Sequence, residues 1–251
     1  MEEFKRFANL GFEDFKKLAQ DQSLSKYQRI GFPDSYRQGK EQAIFNDILS
    51  KLPAFKEKHK TVLDIGPGCS DLPALIIQHC IQHHHQLILV DSKEMLDQLE
   101  IPVKAPVEKC NAFFPNCTEL LNRYSGKVDI IICYSVLHYA FVDTSIFRFV
   151  DAALSLLAPG GALLLGDIPN VSKRKRFFAS SSGIAFHQQF MQTNEVPEVH
   201  FNRIEPDLID DAVVLSIVQR ARLQGFDAYV LPQDPSLPMA NRREDVLIIA
   251  P

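Results

Sequence analysis

Several features that would place a chain in a specialised class are missing from this sequence. It has no apolar run of transmembrane length, and its mixed-charge start, Met1 to Lys17, does not have the pattern of a secretory signal peptide. No Gly/Ser-rich linker divides its 251 residues, of which 46% are apolar. The net charge of −4 argues against general affinity for nucleic acid. We therefore expect one main domain with a substantial core and no membrane association.

Metal-binding patterns of cysteine and histidine are also missing. The five cysteines form no CxxC pair and several fall at predicted core or motif positions, so we expect reduced thiols in a cytoplasm. Three adjacent histidines, His83 to His85, could suggest a metal, but neighbouring side chains in a loop do not converge easily on one ion. We interpret this run as a solvated loop and predict no metal site.

Residues 61–71 carry the most functional information in the sequence. Thr61 to Ile65 is β-branched and apolar, as in a buried strand, and it ends in Gly66-Pro67-Gly68. Ser70 or Asp71 can then cap a helix. Because glycine has no Cβ, a ligand can lie directly against such a turn. Ligands of open parallel α/β sheets bind at the carboxyl ends of strands, so the segment predicts a binding site.

The charges beside this turn indicate the kind of ligand. A dinucleotide fold would have a third glycine where Asp71 stands, and a pyrophosphate needs a helix start free of anions. Asp64 and Asp71 instead suit a cationic ligand. Leu63 to Gly68, Leu-Asp-Ile-Gly-Pro-Gly, resembles the first motif of class I S-adenosylmethionine-dependent methyltransferases. The alternatives left open are a nicotinamide-dependent oxidoreductase on a similar sheet and a non-catalytic cofactor-binding protein.

The next two strands agree with the resemblance. Gln86 to Val90 ends at Asp91, which is placed to accept hydrogen bonds from ribose hydroxyls, to cap the helix predicted from Lys93 to Leu99, or to do both. Lys104 to Glu108 is predicted as the third strand. In the family an acidic residue often contacts the adenine near the position of Asn111; the amide oxygen here can still accept a hydrogen bond.

The second half of the chain completes the predicted sheet. Val128 to Tyr134 is continuously apolar, as in a central parallel strand, and the residues after it resemble the family's fourth motif, beside the methyl group. Ala162 to Leu165 is predicted as the fifth strand. Phe226 to Leu231 and Asp245 to Ile249 have no helix between them, so they should pair antiparallel. The expected fold is α/β: a Rossmann-like, mostly parallel seven-stranded sheet with one antiparallel strand and helices on both faces.

The resemblance implies S-adenosylmethionine as the cofactor, with S-adenosylhomocysteine as the product. It is expected to be held at the strand ends and by the N-terminal segment. The candidate cofactor-binding residues are Asp64, Gly66, Pro67, Gly68, Asp91, Ser92, Asn111, Ala112, Tyr134, Ser135, Tyr36 and Arg37.

Two segments lie outside the common core of the family. Residues 1–58 are predicted as an N-terminal helical cap on a methyltransferase domain of residues 59–251. An amphipathic helical pattern runs from Phe4 to Leu18, and Ser25 to Arg37 is interpreted as an ordered loop. In related methyltransferases such segments close over the cofactor, which makes Tyr27 a further candidate.

The second segment is an insertion at about residues 168–207. Four successive basic residues, Lys173 to Arg176, precede two phenylalanines and could grip an anionic group; a solvated helix start is the alternative. The candidate substrate-binding residues are Asn170, Lys173, Arg174 and Arg176. This stretch resembles methyltransferases of bacterial surface-polysaccharide gene clusters, which implies a small, anionic metabolite or sugar as the acceptor.

Methyl transfer chiefly requires positioning, and a hydroxyl acceptor also benefits from a base. His138 follows the central strand and titrates near neutrality, and Asp167 and His187 are the other candidates. We favour O-methyl over N-methyl transfer to a small-molecule substrate. The sequence leaves the oligomeric state open, and a homo-oligomer is compatible with it.

Overall fold

A computed structural model describes Phe7 and residues 10–251 of the chain. Its strands are β1 (Thr61–Ile65), β2 (Gln86–Asp91), β3 (Val107–Asn111), β4 (Val128–Tyr134), β5 (Leu157–Pro169), β6 (Asp227–Pro232) and β7 (Arg243–Ile249). They form one seven-stranded sheet in the order β3-β2-β1-β4-β5-β7-β6. Among these strands, β7 is the one that runs in the opposite direction, antiparallel to both β5 and β6. The predicted architecture is confirmed.

Helices connect the strands and cover both faces of the sheet. The α-helices, numbered from the first in the described part, are α1 (Phe12–Gln20), α2 (Lys26–Arg29), α3 (Asp34–Arg37), α4 (Glu41–Lys51), α5 (Asp71–Gln82), α6 (Lys93–Leu96), α7 (Thr118–Tyr124), α8 (Leu137–Asp143), α9 (Ile146–Leu156), α10 (Val171–Phe178), α11 (Ser181–Met191) and α12 (Asp211–Leu223). Short 3₁₀ helices span Pro53–Lys56 and Ala240–Arg242.

The core lies on the two faces of the central strands. Ile131 of β4 belongs to one apolar cluster, with side chains of α7, α9 and α12. Its neighbours Ile130 and Ile132 belong to the other cluster, with side chains of α4, α5 and α6. Because successive side chains of a strand point to opposite faces, the continuous apolar run of β4 serves both clusters at once.

Strand order reverses between β1 and β4, and this reversal positions the site. From β1 the chain moves outward to β2 and β3, then crosses back to β4 on the other side of β1. Helices leave β1 and β4 on different faces, so a crevice forms beyond their carboxyl ends. The turn after Ile65 and the residues after Tyr134 therefore meet at one edge of the sheet.

Two strands differ from their predicted bounds by three residues or more. The third strand spans Val107–Asn111, three residues later than predicted, because Lys104 lies in a turn with a φ of 74°. The fifth strand runs from Leu157 to Pro169, well beyond the predicted Ala162 to Leu165. Pairing with β7 continues it past a register shift between Leu165 and Ile168.

Several helix and loop predictions also change. The predicted loop of Ser25 to Arg37 contains the short helices α2 and α3, because Ser25 caps α2 by accepting a hydrogen bond from the Gln28 N–H. The predicted helix from Lys93 to Leu99 ends at Leu96. Phe4, the first apolar residue of the predicted N-terminal helix, lies outside the described residues, and the observed helix begins at Phe12.

The solvated-loop interpretation of the histidine run is wrong for His85. Its side chain is buried: Nδ1 accepts a hydrogen bond from the Lys60 N–H at 3.0 Å, and Nε2 lies 3.1 Å from the Phe55 carbonyl oxygen. In the described part of the chain, no cluster of His, Cys, Asp or Glu is arranged to hold a metal. None of the helices described there is long and apolar enough to span a membrane.

Candidate active site

A pocket lies beyond the carboxyl ends of β1, β2 and β4. Part of it is open to solvent. Many of the predicted cofactor residues line it: Arg37, Asp64, Gly66, Pro67, Gly68, Asp91, Ala112, Tyr134 and Ser135. The remaining walls are mostly aromatic and aliphatic. The strand ends named by the sequence therefore converge on one cavity.

The glycine turn after β1 needs both of its glycines. Gly66 has a φ of 71° and Gly68 a φ of 65°, a region that other residues rarely adopt. A Cβ on Gly66 would lie 2.6 Å from Cγ2 of Val136, and one on Gly68 would lie 2.7 Å from Cγ2 of Ile30. Both residues line the pocket, so the main chain itself forms this wall.

Asp64 and Asp91 are the carboxyl groups beside this turn. Oδ2 of Asp91 accepts a hydrogen bond from the Gly68 N–H at 3.0 Å, and Oδ1 accepts one from the Ser92 N–H at 2.7 Å. Burial raises the pKa of Asp91 to about 6. Burial, together with the negative charge of Asp91, raises the pKa of Asp64 to about 8. A bound cation, or a ligand that donates hydrogen bonds, would stabilise the ionised forms of both carboxyls.

Asp71, the second carboxylate expected at the turn, is already paired within the chain. Lys26 Nζ lies 2.6 Å from one of its oxygens, and the Tyr27 hydroxyl donates to the other at 2.8 Å. The N-terminal segment thus supplies the positive charge that we expected from a ligand. Asp64 and Asp91 remain as the pair that faces the pocket.

Three predicted cofactor residues do not line the pocket. Ser92 is buried and caps α6, accepting a hydrogen bond from the Met95 N–H at 3.3 Å. Asn111 is exposed at the end of β3. Tyr36 lines a neighbouring cleft, one residue before Arg37, which does line the pocket.

The N-terminal helix α1 covers the pocket. Phe12 packs against Phe113 with ring centroids 4.8 Å apart, and Phe15 packs against Tyr139 at 4.6 Å. The Phe12 N–H also donates to Asp143 at 3.0 Å, which ties the start of α1 to the end of α8. Phe12 and Phe15 thus line the pocket on the side of α1.

A buried polar cluster forms the wall beside β4 and β5. Ser135 directly follows β4, and Asp167 lies near the end of β5. Their φ values are 61° and 58°, in a sparsely populated region that is found at many functional sites. The Ser135 hydroxyl donates to Asp167, and Arg37 donates to that hydroxyl at 3.2 Å. Arg37 itself pairs with Glu41 at 3.1 Å. Asp167, a predicted catalytic residue, is therefore joined to the pocket through Ser135.

Sequence reasoning missed two further members of this cluster. Arg243 donates to a carboxylate oxygen of Asp167 at 2.7 Å and to its carbonyl oxygen at 3.0 Å. Gln233 donates to Asp167 at 3.3 Å and to Asp245 at 3.1 Å. A signal was present: Arg243, Glu244 and Asp245 are consecutive charged residues at the start of a strand inside the sheet, which is unusual for a structural strand.

The two predicted catalytic histidines lie outside the pocket lining. Nδ1 of His138 is buried without a hydrogen-bond partner, and burial together with the charge of Arg243 lowers the pKa of His138 to about 3. The imidazole is therefore neutral near pH 7. His187 lies on α11 and faces a surface cleft formed with Pro197 and neighbouring residues.

The predicted substrate-binding residues lie on or beside α10, and most are engaged within the chain. Arg174 pairs with Glu205, and Arg176 pairs with Asp211. Lys173 Nζ donates to the Arg243 carbonyl oxygen at 2.6 Å. Asn170 is buried and caps α10, accepting from the Lys173 N–H at 3.1 Å. Arg174 and Arg176 therefore bring little uncompensated charge to the surface.

No protein-family model matches the sequence, and no curated protein matches it. The structure does resemble solved methyltransferases. Plantazolicin methyltransferase BamL, solved with a triazolic desmethylPZN analog and SAH, is 13% identical, with 95% of this chain and 96% of that chain covered and a TM-score of 0.57. The CurJ carbon methyltransferase is 16% identical, covering 99% and 69%, with a TM-score of 0.52.

A SAM-dependent methyltransferase from Aquifex aeolicus is 13% identical, covering 96% and 98%, with a TM-score of 0.50. At such identities the likeness concerns the fold. The chain has the Rossmann-like fold of class I S-adenosylmethionine-dependent methyltransferases, with a pocket at the carboxyl ends of its central strands.

Proposed function

We propose that this protein is an S-adenosylmethionine-dependent methyltransferase that acts on a small molecule. One observation carries the proposal: the glycine turn of β1 and the buried carboxyl groups of Asp64 and Asp91 line a single cavity. The residues fit the cofactor. A positive charge would stabilise the ionised carboxyl of Asp64, and ribose hydroxyls would find an acceptor in Asp91. Gly66 and Gly68 offer main chain against which the ligand can lie.

Bound S-adenosylmethionine would supply an electrophilic methyl group, and the chain's own residues would position the acceptor. Methyl transfer is an in-line displacement, so it depends on holding the reacting atoms in contact and excluding water. Phe12 and Phe15 on α1 cover the cavity. Ser135 gives it a polar edge, where a hydroxyl could be oriented, and Asp167 behind it accepts the hydrogen bond of the Ser135 hydroxyl.

The finer proposals concern the methyl acceptor. We propose transfer to oxygen, because Ser135 and Asp167 offer hydrogen-bonding groups suited to a hydroxyl. We further propose an anionic sugar or metabolite of surface-polysaccharide biosynthesis, supported by the resemblance of the residues around Lys173 to Arg176. The cap of residues 1–58 and the insertion at about 168–207 would select it. The five unpaired cysteines agree with a reducing cytoplasm.

Calorimetry with S-adenosylmethionine, S-adenosylhomocysteine and NADH tests the main proposal. We expect the first two to bind and NADH not to bind. Asp91→Asn should weaken binding about tenfold to a hundredfold, as for the loss of charge-assisted hydrogen bonds of roughly 1.5–3 kcal/mol. Asp97→Asn is the matched control, since Asp97 directly follows α6, lies outside the pocket lining and pairs with Lys93.

Binding of NADH alone would overturn the proposal in favour of an oxidoreductase. Equal affinities of the Asp91→Asn and Asp97→Asn variants for S-adenosylhomocysteine would mean that the cofactor does not bind in this pocket. Incubation with methyl-labelled cofactor and NMR of the isolated product would then identify the methylated atom as oxygen or nitrogen.

A further inference from the structure

A second cleft lies next to the candidate cofactor pocket. Its walls come from the N-terminal cap (Tyr36 and Lys40), from α10 and α11, and from residues 232–242, which join β6 to β7. We call it the 232–242 cleft. The cleft and the pocket are adjacent: Gln233 lines the cleft, Tyr134 lines the pocket, and Gln233 Nε2 lies 3.5 Å from the Tyr134 hydroxyl.

The cleft is lined by cations, and the charge of one of them, Lys173, is partly offset by Glu244 and Asp245 outside the lining. Lys40, Lys173 and Arg242 line it, and no aspartate or glutamate does. Among the described residues, none of these three cations forms an ion pair, whereas Arg174 and Arg176 do. Cations that lie on one concave surface without forming ion pairs favour an anionic ligand.

Two buried amide oxygens at the same cleft lack donors. Gln233 is 5% exposed, and its Nε2 is held by the carboxylates of Asp167 and Asp245, so its Oε1 is fixed on the opposite side. That Oε1 and the Oδ1 of Asn241 are both buried without a hydrogen-bond partner in the described structure. Because unsatisfied buried acceptors are destabilising and rare, they indicate a ligand that donates hydrogen bonds.

The remaining wall is aromatic. Phe186 and Phe190 of α11 line the cleft, with ring centroids 5.8 Å apart and planes within 8° of parallel. They are 37% and 57% exposed, so their faces are available to a ligand. The guanidinium of Arg242 lies 5.9 Å from the Phe186 ring centre, which keeps the cation beside the aromatic surface.

We propose that the 232–242 cleft binds the methyl acceptor, and that this acceptor is an anionic carbohydrate such as a sugar phosphate. The anion would contact Lys40, Lys173 and Arg242; hydroxyls would donate to Gln233 and Asn241; and the apolar face of the sugar ring would lie on Phe186 or Phe190. The assignment as acceptor site rests on the proposed methyltransferase function, while the binding of an anionic carbohydrate does not.

Direct binding to the full chain tests the proposal without requiring turnover. Glucose 6-phosphate, glucuronate, methyl glucoside and inorganic phosphate are titrated by calorimetry, and S-adenosylhomocysteine is titrated into the same preparations. We expect the two anionic sugars to bind more tightly than the uncharged glucoside or phosphate alone, and more weakly as salt is raised. A preference for glucose 6-phosphate identifies phosphate as the anion, and a preference for glucuronate identifies carboxylate.

Three variants sharpen the test. Lys40→Gln should weaken anionic-sugar binding about tenfold, the effect of one charge-assisted contact. Asn241→Ala should weaken sugar binding and leave phosphate binding unchanged. Arg220→Gln, which removes a cation paired with Asp151 outside the cleft lining, should leave both unchanged.

The outcomes separate the two proposals. Equal affinity for methyl glucoside and glucose 6-phosphate, or no effect of Lys40→Gln, overturns the anion site. Equal affinity for glucose 6-phosphate and inorganic phosphate overturns the carbohydrate assignment. If S-adenosylhomocysteine binds and neither anionic sugar does, the cleft proposal fails while the cofactor proposal stands. Sugar binding without cofactor binding supports the cleft as a ligand site and overturns its role in methyl transfer.

Discussion

Asp64 and Asp91 lie close enough that the charge of Asp91 contributes to the raised pKa of Asp64. Both carboxyls are buried in surroundings that disfavour their ionised forms. Each carboxyl thus titrates closer to physiological pH than an exposed aspartate does. Two consequences can be measured.

Affinity for S-adenosylmethionine should rise with pH between about 6 and about 8. In the free protein the carboxyl of Asp64 keeps its proton up to about pH 8, and that of Asp91 up to about pH 6. A cationic ligand favours the ionised carboxylates, so its binding releases protons in this window. Calorimetry at pH 7 in buffers of different ionisation enthalpy measures that release.

S-adenosylhomocysteine is the matched ligand for this measurement because it lacks the sulfonium charge, and it should show the weaker pH dependence. Binding heats that do not change with the buffer would contradict the coupling between ligand charge and these two carboxyls.

The ligand-free protein should be stabilised by Asp64→Asn, and more so at pH 8 than at pH 5. The pKa of Asp64 rises from 3.8 to about 8 on folding, so the folded state holds the proton more tightly than the unfolded chain does. The free energy of unfolding therefore falls as pH rises from about 4 to about 8. In the Asp64→Asn variant the uncharged amide does not ionise, so this fall is removed. Thermal unfolding at both pH values checks this, with Asp97→Asn as the exposed control.

A gain in Tm that is equal at both pH values would mean that the substitution acts through packing and not through charge. The same variant should lose affinity for S-adenosylmethionine. Stability and cofactor binding would then make opposite demands on position 64, which is common at functional sites.

Helix α1 is the element that covers the candidate pocket, through contacts with Phe113, Tyr139 and Asp143. Removing Phe12 or Phe15 should speed cofactor release about threefold to tenfold each, the effect of an aromatic pair worth roughly 0.5–1.5 kcal/mol. Stopped-flow displacement of bound S-adenosylhomocysteine measures the rate. Phe147→Ala, on α9 outside the pocket lining, is the control for loss of an exposed ring.

Unchanged release rates in Phe12→Ala and Phe15→Ala would mean that α1 does not act as a lid. Slower release of S-adenosylhomocysteine from these variants would also contradict a role of α1 as a lid.

The elements that could be predicted are those whose signals lie within a few residues. β1, its glycine turn and the helix that follows are encoded by one continuous segment, and the structure has them at those positions. The fifth strand was underestimated, because its last residues are extended only through pairing with β7, about 80 positions later in the chain. The third strand was misplaced because the turn at Lys104 has no glycine to mark it.

The polar wall of the pocket shows the same limit. Ser135, Asp167, Gln233 and Arg243 come from three widely separated parts of the sequence. No local pattern relates them. The Pro-rich connection around Gln233 has the composition of a linker, and only the sheet order brings it beside Asp167.

Across the whole molecule, the mostly parallel seven-stranded sheet was predictable from the sequence and the pairing of the charged residues was not. Alternating strands and helices, with two final strands joined by a loop, are sufficient to predict the sheet. Which basic residues remain uncompensated depends on where every carboxylate falls. Arg174 and Arg176 look available in the sequence but pair with Glu205 and Asp211, whereas Arg242 has no carboxylate partner among the described residues.

The contribution of β7 to the candidate site has a consequence for synthesis of the chain. Asp167 is held by Gln233 and Arg243, and its N–H donates to Asp245. A nascent chain released at the end of β6 would contain the glycine turn, Asp64 and Asp91, yet Asp167 would lack all three of these partners. The polar wall of the site can therefore form only after β7 has emerged from the ribosome. A product truncated before β7 would lack that wall.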